Sequence, residues 1–157
     1  MAIGEPVTLE VMIDASPETV FQFFVDPTRM RRWMGGHIDL DPRSGGVFAV
    51  DIGANHTRGS FIVVEPPERV VFTWGWEGSE VVPPGASTVT VVFEPTNRGT
   101  LVRLVHSDLP DGEDIRHSQG WTHYLGRLTK AAVGIDPGPD PQAGEHGMMH
   151  EMETDEA

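Results

Sequence analysis

The sequence predicts an α+β fold: a curved antiparallel sheet closed by a long C-terminal helix, with two short helices inserted after the first strand. Three observations carry this. Seven stretches read as strands, several with strict alternation of apolar and polar residues. Short turns rich in Gly, Pro and Asn separate most of them, which makes neighbours antiparallel. Then, from Glu113 to Val133, the apolar period changes from that of a strand to that of a helix.

The first strand is Val7 to Asp14, where Val7, Leu9, Val11 and Ile13 alternate with Thr8, Glu10 and Met12. Ser16-Pro17-Glu18 starts a helix: serine caps, proline suits the first position, and glutamate complements the dipole. Val20, Phe23 and Phe24 follow at helical spacing. Asp26-Pro27 stops this helix and starts a second, carrying Met30, Trp33 and Met34, which Gly35-Gly36 ends. Six strands come next: His37 to Asp41, Val47 to Ile52, Thr57 to Glu65, Arg69 to Trp76, Ser87 to Glu94 and Thr100 to Ser107. Glu77 to Ala86 is the longest break and reads as a flexible hairpin loop. On the last helix His117, Trp121, Tyr124, Leu125, Leu128, Ala131 and Ala132 form one stripe.

The chain has 157 residues, enough for one domain with a sizeable core. It has no cysteine, so disulfides, thiolate catalysis and zinc-thiolate sites are excluded. Its start lacks the basic and apolar regions of a signal peptide, and no apolar run reaches the roughly 20 residues of a membrane span. A cytoplasmic protein is expected. Net charge is −13, and seven of the acids fall in Gly134 to Ala157, a stretch without Lys or Arg. A basic footprint for nucleic acid or anionic lipid is missing. Residues 1–133 are expected to be the folded domain and 134–157 an acidic, Pro/Gly/Met-rich disordered tail.

The segment Glu65 to Trp76 is the most informative. Two prolines make a corner, and Val70, Phe72, Trp74 and Trp76 then share one strand face, with small Thr73 and Gly75 opposite. Phe48, Phe93, Leu104 and His106 face the same interior from other strands, and His117, Trp121 and Tyr124 face it from the helix. A curved sheet around a long helix leaves space between them, a natural place for a pocket. The expected ligand contacts are therefore Phe48, Phe72, Trp74, Trp76, Phe93, Leu104, His106, His117, Trp121 and Tyr124. The histidines and Tyr124 supply polar handles. Most of these residues read as filled core, with those nearest the open end as the ligand contacts, and each histidine reads also as a group that bonds a backbone carbonyl or caps a loop.

Other clusters carry chemistry less directly. His37, Asp39 and Asp41 alternate on one strand face, as metal ligands or as a solvated edge. His146, Met148, Met149, His150 and Met152 are soft-metal ligand types in the tail. Arg29, Arg31 and Arg32 beside Trp33 suit an anionic head group, a partner or plain solvation. The nucleophile elbow and the glycine-rich nucleotide loops are missing, and no cofactor is expected.

The stretches IDASPETVFQFFVDPTRMRRWMG, SGGVF, EPPERVVFTWGW, STVTVVFEP, GTLVRLVHSDLP and HSQGWTHYLGRLTKA, in this order, resemble the START-like (SRPBCC) superfamily and its helix-grip fold. Within it the chain looks like the branch named after the activator of the heat-shock-protein ATPase. The resemblance spans roughly residues 7–133. It implies a container for lipids, hormones or polyketides in a central cavity. Some relatives are cyclases or dehydratases and some act on a chaperone. One departure is Met34, where a second bulky aromatic often follows the tryptophan. The function expected is non-catalytic binding of a small hydrophobic or aromatic molecule. The alternatives are a cyclase or dehydratase using the cavity histidines, and a chaperone accessory, homodimer or other interaction module.

Overall fold

The computed structural model describes residues 3–141. The elements run β1 (Val7–Ile13), α1 (Pro17–Val25), α2 (Pro27–Met30), β2 (Ile38–Leu40), β3 (Val47–Ile52), β4 (Asn55–Glu65), β5 (Arg69–Trp74), β6 (Ser87–Thr96), β7 (Gly99–Ser107) and α3 (Asp114–Ala131). This is the expected order. The strands form one antiparallel sheet in the order β1-β7-β6-β5-β4-β3-β2. β1 therefore returns beside β7, and α3 packs over the concave face.

The helix signals act as read. Ser16 Oγ accepts from Thr19 N, and Pro17 takes the first turn of α1. Asp26 serves two helices. Its backbone N–H ends α1 on Gln22 O, while its carboxylate accepts from Thr28 N at 2.9 Å to start α2. The second helix is shorter than its pattern suggested. It stops at Met30, and Trp33 and Met34 sit on the turn beyond, still buried. Trp33 Nε1 donates to Phe23 O at 2.9 Å and so locks that turn under α1.

β5 departs from its pattern too. The ladder ends at Trp74, and Trp76 continues inward through a lone bridge to Thr57. Trp76 N donates to Val82 O at 2.8 Å, and Val82 is buried. The loop after β5 thus folds back onto the core instead of standing free. Gly75 permits this, because a Cβ there would overlap the Pro83 carbonyl oxygen. At the opposite edge β2 has only three residues, with Asp39 exposed and Asp41-Pro42 directly after it.

The chain does not leave the domain at Val133. Gly134 adopts φ +83°, and Gly134 N and Ile135 N bond back to Ala131 O and Lys130 O, each at 3.0 Å. Residues 134–141 then return along α3. The rest of the tail, including His146, Met148, Met149, His150 and Met152, lies outside the described residues.

Candidate ligand site between sheet and C-terminal helix

The register of β5, β6 and β7 stacks the inward residues in rows. Phe72 pairs with Val89, Trp74 with Ser87, Val91 with Leu104, and Val89 with His106. From above, α3 contributes His117, Gly120, Trp121, Tyr124, Leu125 and Leu128 to the interior. Trp74 lies against both neighbouring indoles, with ring centroids 5.3 Å from Trp76 and 5.1 Å from Trp121.

These rings nearly fill the expected hollow. The cavity that remains is only about 10 Å³ and is bordered by Met34, Ile52, Trp74, Trp76, His117, Gly120, Trp121 and Tyr124. That is space for about one small molecule of water size. The large chamber anticipated from the aromatic content is closed here, because bulky rings on both layers interdigitate.

Five of the ten anticipated contacts border this cavity: Trp74, Trp76, His117, Trp121 and Tyr124. His106 lies just behind them, its ring 5.0 Å from that of His117. Phe48 and Phe72 stack at 4.0 Å in the filled core, and Leu104 is fully buried on β7. Phe93 packs edge-on against Phe21 and Phe24 beneath α1. Met34, Ile52 and Gly120 complete the wall. Ile52 continues the alternation of Phe48 and Val50, so its signal was present; Gly120 offered none.

The two histidines are bonded at both nitrogens. An indole N–H only donates, so His106 Nδ1 accepts from Trp121 Nε1 at 3.0 Å. Its Nε2 then carries the proton and donates to Ser87 Oγ at 2.8 Å. Ser87 passes its own hydrogen to Trp74 O at 2.6 Å. The result is a one-way chain from α3 through β7 and β6 to β5. His117 is the mirror case. Nδ1 donates to Glu113 O at 2.9 Å, and Nε2 accepts from Trp76 Nε1 over a long 3.4 Å. Burial holds His106 well below the usual imidazole range, with the nearby His117 adding to the effect. Burial likewise lowers His117 to about 4. Both rings are neutral, with fixed tautomers. Trp74 Nε1 is the exception in this network: it is buried without a hydrogen-bond partner.

Tyr124 joins the cavity to the returning chain. Its hydroxyl donates to Asp140 Oδ2 at 2.6 Å, and Asp140 Oδ1 lies 2.8 Å from His123 Nε2. Burial, then the bond and charge of Asp140, raise the Tyr124 phenol far above its usual range, so it stays a donor. Sequence reading missed Asp140, which sits in a Pro/Gly segment that looks uncommitted.

The remaining clusters are not brought to this site. Arg29 pairs with Asp26 at 2.6 Å, Arg31 Nε donates to Gly36 O at 2.9 Å, and Arg32 borders a surface hollow with Gly134 to Pro137. His37 and Asp39 are exposed and Asp41 binds Arg43. Among the described residues no group of three or more His, Asp or Glu is placed to hold a metal ion. Nor, among them, is any helix long and apolar enough to cross a membrane.

A seven-stranded antiparallel sheet gripping a long C-terminal helix, with a ring-lined interface between them, defines a START-like helix-grip domain. The chain belongs to the Activator of Hsp90 ATPase homolog 1-like protein family, whose pattern matches residues 14–132. It is similar to an AHSA1-like protein from Rhizobium etli known by NMR, at 47% identity, 87% of each chain and a TM-score of 0.71. It is also similar to DynU16, a protein from the dynemicin biosynthetic locus, at 25% identity, 86% of this chain, 50% of that one and a TM-score of 0.75. Among curated proteins it matches the human activator of 90 kDa heat shock protein ATPase homolog 1 at 25% identity over 129 residues. The chain spans just over a third, 35% and 37%, of the curated relatives it matches.

Proposed function

We propose that this domain binds a small, apolar, ring-bearing molecule between the sheet and α3, without chemistry. The observation that carries the reading is the set of rings around the residual cavity: Trp74, Trp76, Trp121 and Tyr124, with one unpaired buried indole N–H on Trp74. An unpaired buried donor costs about 1–3 kcal/mol, which a ligand acceptor would recover. Binding requires the layers to part, since drug-sized sites occupy roughly 300–1,000 Å³. Burial of ligand surface, at about 25 cal/mol per Å², supplies the drive. The likeness to a protein of a biosynthetic locus adds support for a small-molecule role.

Proton-transfer chemistry by His106 or His117 has less support, because each lone pair already accepts an indole N–H and each proton already has an acceptor. A cyclase or dehydratase would first have to break one of these bonds. A chaperone-accessory role draws on the family's description and on the human relative, of which this chain matches 37%. Stimulation of a heat-shock ATPase by the purified protein would favour it.

The test is titration with neutral N-phenyl-1-naphthylamine. The expected result is saturable 1:1 binding, with energy transfer from the buried tryptophans and no turnover. A signal that climbs linearly to the probe's solubility limit rules the reading out.

A further inference from the structure

Residues 134–141 bring a carboxylate to the back of the cavity wall. Asp140 is fixed there by two adjacent residues of α3, at 2.6 Å from Tyr124 Oη and 2.8 Å from His123 Nε2. Its side chain is only 8% exposed, and that of His123 28%. One helix turn on, Arg127 places a positive charge close enough to act on the Tyr124 hydroxyl, while its Nε donates to Trp33 O at 3.1 Å. A phenol donor, an imidazole donor and a nearby guanidinium are the groups that recognise a carboxylate. The Tyr124 ring borders the cavity and its hydroxyl holds the carboxylate. One side chain therefore joins an apolar compartment to an anion-holding one.

We propose that Asp140 is a built-in occupant of a carboxylate site made by His123 Nε2 and Tyr124 Oη, and that the cavity's ligand is an aromatic or apolar acid that takes this site when residues 134–141 swing away. The proposal deepens the cavity reading above and rests on it. The ligand's ring replaces ring–ring contacts around Trp74 and Trp121, and its carboxylate replaces that of Asp140. The Tyr124 hydroxyl and His123 Nε2 then keep a carboxylate acceptor. The segment that must move is tied to α3 by turn bonds at Gly134 and Ile135 and by the Asp140 contacts, and it is rich in Pro and Gly. A tethered competitor acts at an effective concentration in the millimolar range, so it sets a high threshold for free acids.

The test compares 2-naphthoate with neutral 2-naphthamide, titrated by tryptophan fluorescence into the full chain, Asp140→Ala and Asp140→Asn. With the competitor gone, naphthoate should bind Asp140→Ala at least about tenfold tighter than the parent. The amide should change less than about threefold, and acetate should compete with naphthoate alone. The His123 ring signals in NMR should shift on adding naphthoate to the variant and not on adding the amide. Should Asp140→Ala fail to fold, Asp140→Asn keeps the volume and must show the same acid-over-amide gain. Equal gains for acid and amide, or no gain for the acid, overturn the carboxylate site while amide binding leaves the cavity reading standing. Failure of both probes to bind any form overturns both.

Discussion

The indole N–H of Trp121 on α3 meets Nδ1 of His106 on β7 at 3.0 Å, inside the core and out of reach of water. One bond thus joins the helix to the sheet and sets which nitrogen of the imidazole is protonated. Trp121→Phe keeps most of the ring and removes the donor. The buried Nδ1 lone pair is left without a partner, at a cost of about 1–3 kcal/mol besides lost packing. Urea denaturation should show that loss. The His106 titration followed by NMR should also move upward, because the N–H that opposed protonation at Nδ1 is gone. An unchanged titration would contradict the assigned tautomer.

Acid should weaken the fold before the carboxylates titrate. His117 titrates near 4 in the folded protein against an ordinary 6.5, and His106 is lowered as well. Between those values the unfolded chain binds a proton that the native state refuses, so stability is full above about 6.5 and falls as the pH drops towards 4. For His117 alone this is on the order of 3 kcal/mol across the window. Urea midpoints measured from pH 7 to 4.5 should fall steadily, and His117→Gln should flatten the slope. A parent protein with constant midpoints over that range would disprove this account.

Ser87 is expected to matter more than a serine at a strand start suggests. Its Oγ takes the proton of His106 and gives its own to Trp74 O. Ser87→Ala strands a buried N–H that cannot change tautomer, since Trp121 occupies the other nitrogen. A destabilisation of about 1–3 kcal/mol is expected in thermal or urea unfolding. A change below about 0.5 kcal/mol, the level of an ordinary surface substitution, would mean the chain through Ser87 carries little.

Met34 is the flexible part of the cavity wall, among rings. Met34→Ala should cost about 2–5 kcal/mol and leave a larger void beside Trp74 and Trp76. An apolar void stays dry and takes apolar guests. Xenon or benzene should therefore raise the melting temperature of the variant more than that of the parent. Equal shifts would indicate that the wall collapses.

Much of the fold was legible. Alternation placed the strands, and Ser16 and Asp26 marked helix ends by local bonding that needs no tertiary context. The stripe His117-Trp121-Tyr124-Leu128 was legible because helical spacing leaves few choices of face. What escaped depends on distances between layers. Whether Trp74, Trp76 and Trp121 surround a hollow or fill it turns on fractions of an ångström in layer separation and on rotamers, neither of which a sequence states. Val82 looked like loop until Trp76 N–H reached its carbonyl. Asp140 escaped because a Pro/Gly context argues against order, and its bonds depend on a chain reversal at Gly134.

The stubby β2 has a consequence beyond the fold. An open ladder rim invites another chain to dock and keep growing, which is how soluble proteins become fibres. Three residues offer too little length for a foreign strand, the Asp39 carboxylate repels a like-charged copy, and Pro42 cannot extend the row of donors. Short length, an exposed Asp39 and Pro42 thus make this rim a poor template for self-association, in a protein whose opposite rim, β1, is more than twice as long.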